Sequence, residues 1–318
     1  MRLKKLYLVS NLILTMTILN FDRFKENFSL HNHRPRILTW PIFGTFLFSG
    51  LLFWFYKFNQ YWSPWAAWKQ AAGNATNFCE LNRFDQLIVQ PANTWSNLGF
   101  IIVGLIILSI AKNDHKYFER SKVNNLLARY PGFTFLSGFA TLYMGIGSFL
   151  FHGTLTYAFQ KMDQTGMYFV VIAAIAYNVY KLAPRIRYNG VIYSSHKFII
   201  GCAIAMMIAF YTFLWKLPIN FTFPALTILF FISNFIVLKK LDHSVPVKAF
   251  IQAAAITLLI SASIWILDIT NRLCSPTSVL QGHALWHILN SVSIFLMYLY
   301  YRSEDYLPEE IQTEDSLA

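Results

Sequence analysis

Eight stretches of this chain are apolar for long enough to cross the hydrocarbon core of a lipid bilayer. In lipid, a chain must satisfy its main-chain hydrogen bonds within itself, and runs of this length do so as helices. Only 13% of the residues are charged and 56% are hydrophobic, which excludes an ordinary soluble domain. The sequence therefore predicts an all-α polytopic transmembrane helical bundle, with spans at 38–57, 95–111, 131–151, 162–181, 197–215, 219–238, 249–268 and 283–301.

The last seven spans form a compact set, and the first is an extra N-terminal span. We expect residues 1–76 to hold an N-terminal segment, this extra span and an aromatic outer loop. Residues 77–301 would form the seven-helix core, and residues 302–318 an acidic tail. The stretch from Leu6 to Phe21 is apolar but short, and we interpret it as an interfacial helix rather than a span.

Basic residues lie mainly in alternate connections between the predicted spans. The inner segments hold 20 of the 26 Lys and Arg residues if both termini are cytoplasmic. This asymmetry follows the positive-inside rule through every loop. The net charge of +11 is thereby explained by membrane topology, without a nucleic-acid partner. We predict a multi-pass membrane protein with a cytoplasmic N-terminus and C-terminus.

Five polar residues lie at the non-cytoplasmic ends of three predicted spans. His283 and His287 are four residues apart, so they share one helix face, and His152 can supply a third imidazole. Ser148 precedes His152 by one turn, and Asp163 lies where the next span begins. Three neutral nitrogen ligands leave the fourth position of a tetrahedral zinc ion open, as in catalytic sites. The alternative for the histidine pair is a hydrogen-bonded packing feature.

Two of the three cysteines precede or follow predicted spans on this same side. Cys79 lies before the second span and Cys274 after the seventh. A disulfide between them is expected in an oxidising compartment, and the alternative is two unpaired thiols.

The series Ser148-x-x-x-His152, Asp163 and His283-x-x-x-His287 resembles the alkaline ceramidase family. That family belongs to a wider group with the progestin/adiponectin-type receptors and the Per1-like lipid-remodelling proteins. Residues 78–82, 91–98 and 281–289 also resemble the family, and the resemblance covers residues 77–301.

The resemblance implies a seven-helix core in which His152, His283 and His287 bind zinc and Ser148 and Asp163 flank the metal-bound water. It also implies an amidase that cleaves ceramide, or a related N-acyl membrane lipid, into a fatty acid and a sphingoid base or amine. Nothing in the sequence points to a particular protein partner.

Animal members of the family also carry a calcium motif near this N-terminal stretch, which this chain matches in part. Glu80 and Asn82 fit the motif as possible calcium ligands. Asn77, Phe78 and Gln90 stand where an Asp, a Trp and a Glu are expected. Calcium affinity grows with the number of carboxylate ligands. Asn77 and Gln90 replace two of the three expected carboxylates, which argues against a calcium site.

For the chemistry, Asp163 is the candidate general base and proton carrier, and Ser148 the candidate donor to the oxyanion. Asp268 could hydrogen bond the ring N–H of a ligand histidine, or it could cap the outer loop. The same five residues would also suit a lipid esterase or phospholipase of the Per1 type. A lipid-binding receptor is the other alternative, although no appended cytoplasmic domain is visible.

Overall fold

The computed structural model describes residues 36–59, 61–71, 78–117, 125–188, 191–240 and 248–304. The predicted interfacial helix Leu6 to Phe21 and most of the acidic tail lie outside these residues. The described elements, in chain order, are α1 (Arg36–Phe58), α2 (Pro91–Ser96), α3 (Leu98–Tyr117), α4 (Leu126–Arg129), α5 (Pro131–Thr154), α6 (Tyr157–Leu182), β1 (Arg185–Tyr188), β2 (Val191–Ser194), α7 (His196–Thr212), α8 (Ile219–Lys240), α9 (Lys248–Ile269) and α10 (Gly282–Arg302).

The predicted all-α membrane bundle is confirmed. Seven helical segments of the described chain are long and apolar enough to cross a membrane, with α2 and α3 acting together as one. The strands β1 and β2 form a small antiparallel hairpin between α6 and α7.

Helix α7 differs from the predicted span at 197–215. It has 17 residues and ends at Thr212, and a 3-10 turn at Leu214–Lys216 follows. Trp215 in this turn is buried, with its ring centroid 5.1 Å from that of Tyr157. The predicted span is longer than the helix because the apolar sequence includes Trp215, which lies after the helix and packs against the start of α6.

Small residues allow α5 to lie close to both of its neighbours, α3 and α6. A Cβ atom added at Gly104 would lie 2.6 Å from the main-chain nitrogen of Leu142, and one at Gly166 would lie 2.6 Å from Cα of Met144. Close main-chain approach through small residues is the usual way in which membrane helices associate. It makes α5 the centre of the bundle and places its last turn beside α6.

The C-terminal end of α10 is held by two buried ion pairs. Arg302 Nη1 lies 2.8 Å from Asp114 Oδ2, and Lys181 Nζ lies 2.5 Å from Glu304 Oε1. The Asn125 amide donates to three main-chain carbonyls at this end of α10. These contacts join α10 to α3 and α6 at the end opposite its two histidines.

The connections near the histidines are also tied together. A disulfide joins Cys79 to Cys274, with their Cα atoms 5.3 Å apart. The aromatic loop after α1 packs on the protein: the Trp65 indole donates to the Leu87 carbonyl, and the Trp68 ring stacks on Phe159.

Candidate active site

Three buried imidazoles meet between α5 and α10. His152 lies in the last turn of α5, and His283 and His287 lie in the first two turns of α10. One nitrogen from each ring lies within 4.8 Å of the nitrogens of the other two. The Nε2 atoms of His152 and His283 are 3.2 Å apart. We call these residues the histidine triad.

Two of the three rings have a neighbour that fixes which nitrogen carries the proton. His152 Nδ1 lies 2.7 Å from Gln90 Oε1, an atom that can only accept. His287 Nδ1 lies 3.2 Å from the Asn93 carbonyl and 2.8 Å from the Ser96 hydroxyl, which itself donates to Asn93. Both rings therefore carry their proton on Nδ1, and this leaves the Nε2 lone pair free to bind a metal.

The donor set could hold a metal ion, and one of its nitrogen–nitrogen distances matches tetrahedral zinc. Two nitrogens that each lie about 2.0–2.1 Å from a tetrahedral zinc are separated by about 3.3 Å, close to the observed Nε2 distance of 3.2 Å. Nδ1 of His283 is buried and has no hydrogen-bond partner among the described residues. Three neutral nitrogens would leave one position of the ion open to water or substrate.

Ser148 and Asp163 form a polar pair beside the triad. Ser148 is buried one turn before His152 on the same face of α5. Its hydroxyl lies close enough to the side chain of Asp163 on α6 for the two groups to interact electrostatically. Gly147 allows this approach, because a Cβ there would lie 3.1 Å from the Asp163 nitrogen. The structure thus brings all five predicted residues to one end of the bundle.

Phe78 covers part of the triad. Its ring centroid lies 4.0 Å from that of His283 and 5.0 Å from that of His152. The adjacent disulfide at Cys79 anchors this residue above the rings. Phe78 thereby supplies an apolar wall that shields the imidazoles.

Asp268 contacts main-chain groups rather than an imidazole. Its Oδ1 accepts from the His283 main-chain nitrogen at 3.2 Å, and its Oδ2 accepts from the Cys79 nitrogen at 3.3 Å. These contacts correspond to the cap, the second of the two predicted roles, and the contact with a ring N–H stays a prediction. A Cβ at Gly282 would lie 2.9 Å from Asp268 Oδ1, so the missing side chain lets the carboxylate reach the N-terminus of α10.

Glu80 and Asn82 hold the preceding loop against α2. The two Glu80 oxygens accept from the main-chain nitrogens of Ala92 and Asn93, each at 2.8 Å. Burial raises the pKa of the Glu80 carboxyl, although these amides oppose the shift. Asn82 Oδ1 accepts from the Gln90 amide at 2.6 Å. The oxygens considered as calcium ligands thus already have donors.

The partners of the triad come from α2 and the residue before it, and the sequence analysis did not identify them. Gln90, Asn93 and Ser96 recur every three residues and contact His152 or His287. Polar residues at helical spacing at the entrance of an apolar span are a signal that could have found them.

Comparison with known proteins gives two matches. A family model described as Ceramidase matches residues 71–317. A protein named alkaline ceramidase from Arabidopsis thaliana is 24% identical over 244 residues, which are 74% of this chain and 83% of that protein. The matched region contains α2 to α10 with the triad and the Ser148–Asp163 pair.

Proposed function

Because this chain belongs to the ceramidase family, we propose that it hydrolyses the amide bond of ceramide or a related N-acyl lipid within the membrane. The products would be a free fatty acid and a sphingoid base or amine. The observation that carries the proposal is the histidine triad with the Ser148–Asp163 pair beside it, in a bundle of membrane-spanning length. Such a site receives its substrate from the bilayer.

Zinc is the cofactor that we propose for the triad. His152, His283 and His287 would hold it, while Gln90, Asn93 and Ser96 keep two of the rings in the required tautomer. When bound there, zinc would make water more acidic and polarise the scissile carbonyl. Phe78 would limit the access of bulk water from the loop side.

Asp163 acts as the proton carrier in this proposal. It removes a proton from the attacking water and later passes that proton to the leaving nitrogen, since both transfers need a carboxylate close to the reacting atoms. The tetrahedral species collapses when the C–N bond breaks, and the nitrogen leaves as the neutral amine.

Ser148 stabilises the negative charge that develops on the carbonyl oxygen. Its hydroxyl has one hydrogen, which the ionised Asp163 side chain can hold as an acceptor. After Asp163 takes a proton, its own O–H can donate to the Ser148 oxygen. The Ser148 hydrogen is then free to turn toward the oxyanion, so proton transfer and oxyanion stabilisation are coupled.

The substrate class is tested directly with purified protein and long-chain ceramide. We expect mass spectrometry to detect a fatty acid and a sphingoid base, and a strong zinc chelator to suppress both products. Matched diacylglycerol and phospholipid substrates form the control. Release of fatty acid from these esters but not from ceramide would favour the Per1-type alternative, and binding without cleavage of any of them would favour a receptor.

Calcium is expected to be dispensable. Glu80 and Asn82 are occupied by main-chain and amide donors, and Gln90 contributes no charge. Ceramide hydrolysis should therefore continue in a calcium-selective chelator that spares zinc. Loss of activity that calcium restores and zinc does not would contradict this prediction.

We expect Gln90 to strengthen zinc binding by orienting His152. Gln90→Leu removes the acceptor of the His152 ring proton, so we expect zinc affinity to fall about 10- to 100-fold. Competitive zinc titration measures the change. Gln86→Leu is the matched control, because Gln86 contacts Tyr56 and not the triad. Equal affinity in the two variants would show that the Gln90 contact does not position His152.

We also propose that the site faces the non-cytoplasmic side, with both termini cytoplasmic. The proposal rests on the distribution of basic residues between the loops. In a chain otherwise free of accessible thiols, cysteines at Ser63 and Thr277 should react with an impermeant reagent from outside, and one at Asn189 should not. Labelling at Asn189 alone would place the site on the cytoplasmic side.

A further inference from the structure

A groove runs between α5 and α7 along the surface of the bundle. It encloses about 590 Å³ and has α6 as its floor. At one end the two helices touch, because a Cβ at Gly132 would lie 2.9 Å from Ile200 Cδ1. The other end reaches Tyr143, Met162 and Tyr211, toward the end of the bundle that holds the triad.

The groove has the dimensions of one hydrocarbon chain. From Ile200 to Tyr211, α7 rises by about 16 Å. This length is roughly half of the 30 Å hydrocarbon thickness, so it corresponds to a chain from one leaflet. The walls are apolar, with Phe139 on α5 and Ile204 on α7. A lipid chain placed there would meet hydrophobic groups along its whole length.

Two lysines and three aromatic rings form a cluster that begins at Tyr211, which lines this end of the groove. Lys161 Nζ is 4.0 Å from the ring centroid of Tyr211 and 5.7 Å from that of Trp215. The Trp215 ring contacts Tyr157, and Lys69 Nζ lies 4.0 Å from the Tyr157 centroid. We call these five residues the lysine–aromatic cluster.

The two lysines of the cluster carry positive charge that the protein leaves uncompensated nearby. In the part of the chain that the structure describes, neither ammonium has a carboxylate within ion-pair distance. The cation–π contacts place Lys161 over the groove residue Tyr211 and Lys69 over Tyr157 without neutralising either lysine. An anionic head group at this position would meet two cations, whereas a neutral or zwitterionic one would gain less.

The groove is separate from the active site. None of the triad, Ser148 or Asp163 lines it. The groove faces α7, whereas the triad lies between α5 and α10. The groove is therefore distinct from the space that the triad occupies.

We propose that this groove binds one acyl chain of an anionic phospholipid, with the phosphate at the lysine–aromatic cluster. The second chain of the lipid would remain in the surrounding bilayer. The bound lipid fills the space between α5 and α7 and reduces the repulsion between the two lysines. It would join α5 and α7 at this end.

Native mass spectrometry of the full chain tests the proposal, with phosphatidylglycerol and phosphatidylcholine of identical acyl chains as competing lipids. We expect one phosphatidylglycerol per protein to be retained in preference. Lys69→Gln with Lys161→Gln should reduce this preference by about fivefold per lysine. Lys57→Gln is the matched control, because Lys57 also lies over a ring, that of Phe53, but away from the groove. The control should keep the full preference.

A second variant tests the groove itself. Ile204→Trp places a large ring in the channel and should reduce retention of both lipids, while Ile256→Trp, on the exposed face of α9, should not. Melting temperatures establish that each variant is folded. Equal retention of both lipids by the native protein, or an unchanged preference in the lysine variant, would overturn the proposal.

Discussion

Replacing His283 with alanine is expected to remove bound zinc almost completely and to abolish ceramide hydrolysis. The variant keeps two of the three nitrogens that converge within 4.8 Å, and two neutral ligands hold the ion far less tightly than three. The fall in zinc affinity should exceed the roughly 100-fold upper range for losing an outer partner of a ligand. Metal analysis of the purified protein measures the bound zinc, and product release measures the activity.

The control for this experiment is His115→Ala, because His115 is exposed on α3 and lies outside the triad. That variant should retain both zinc and activity. An unchanged zinc content in His283→Ala would show that the 3.2 Å contact between His152 and His283 is a hydrogen bond between two imidazoles. The triad would then be a packing feature.

Asp163→Asn should keep the metal and lose turnover. The amide preserves the size of the side chain and is not among the triad's ligands, so zinc content should match that of the native protein. It cannot accept the proton of the attacking water, and the loss of a general base lowers the rate by about 10²- to 10⁴-fold. Ceramide turnover and metal content are measured on the same preparation.

Two further variants make this result specific. Ser148→Ala should reduce turnover by a comparable or smaller factor, since it removes one oxyanion donor. Asp85→Asn, in the exposed loop before α2, should leave turnover unchanged. Native activity in Asp163→Asn would contradict the proposed proton carrier and return the binding alternatives to consideration.

The helices and the meeting of the three histidines could be predicted because each depends on local spacing or on membrane topology. The apolar runs predicted the membrane bundle, and the interval between His283 and His287 placed both on one helix face. His152 is 131 residues away from His283, yet the distribution of basic residues predicted that it would lie at the same end.

The contacts that orient these groups could not be predicted in the same way. Gln90 contacts His152 across 62 residues, and Ser96 contacts His287 across 191. Such pairs depend on how α2 is inserted beside α5 and α10, which residue spacing does not determine. From the sequence, Gln90 was identified only as a replacement for the Glu that the calcium motif would have at this position.

Asp268 illustrates a different limit. Its position at the end of a span predicted a role near the triad, but a carboxylate there can accept from a ring or from a helix N-terminus. The absence of a side chain at Gly282 allows the second of these contacts, because it opens the main-chain nitrogens of α10 to Asp268. The end of α7 has a similar cause, since the burial of Trp215 involves a contact with Tyr157.

The ion pairs at the C-terminal end of α10 have a consequence for biosynthesis. Among the described helices α10 is made last, and Arg302 and Glu304 at its end are the partners of Asp114 and Lys181. A nascent chain that stops before α10 would leave Asp114 and Lys181 without the charged partners that they have in the complete bundle. It would also possess only one histidine of the triad. The same helix thus completes both the triad and these two ion pairs.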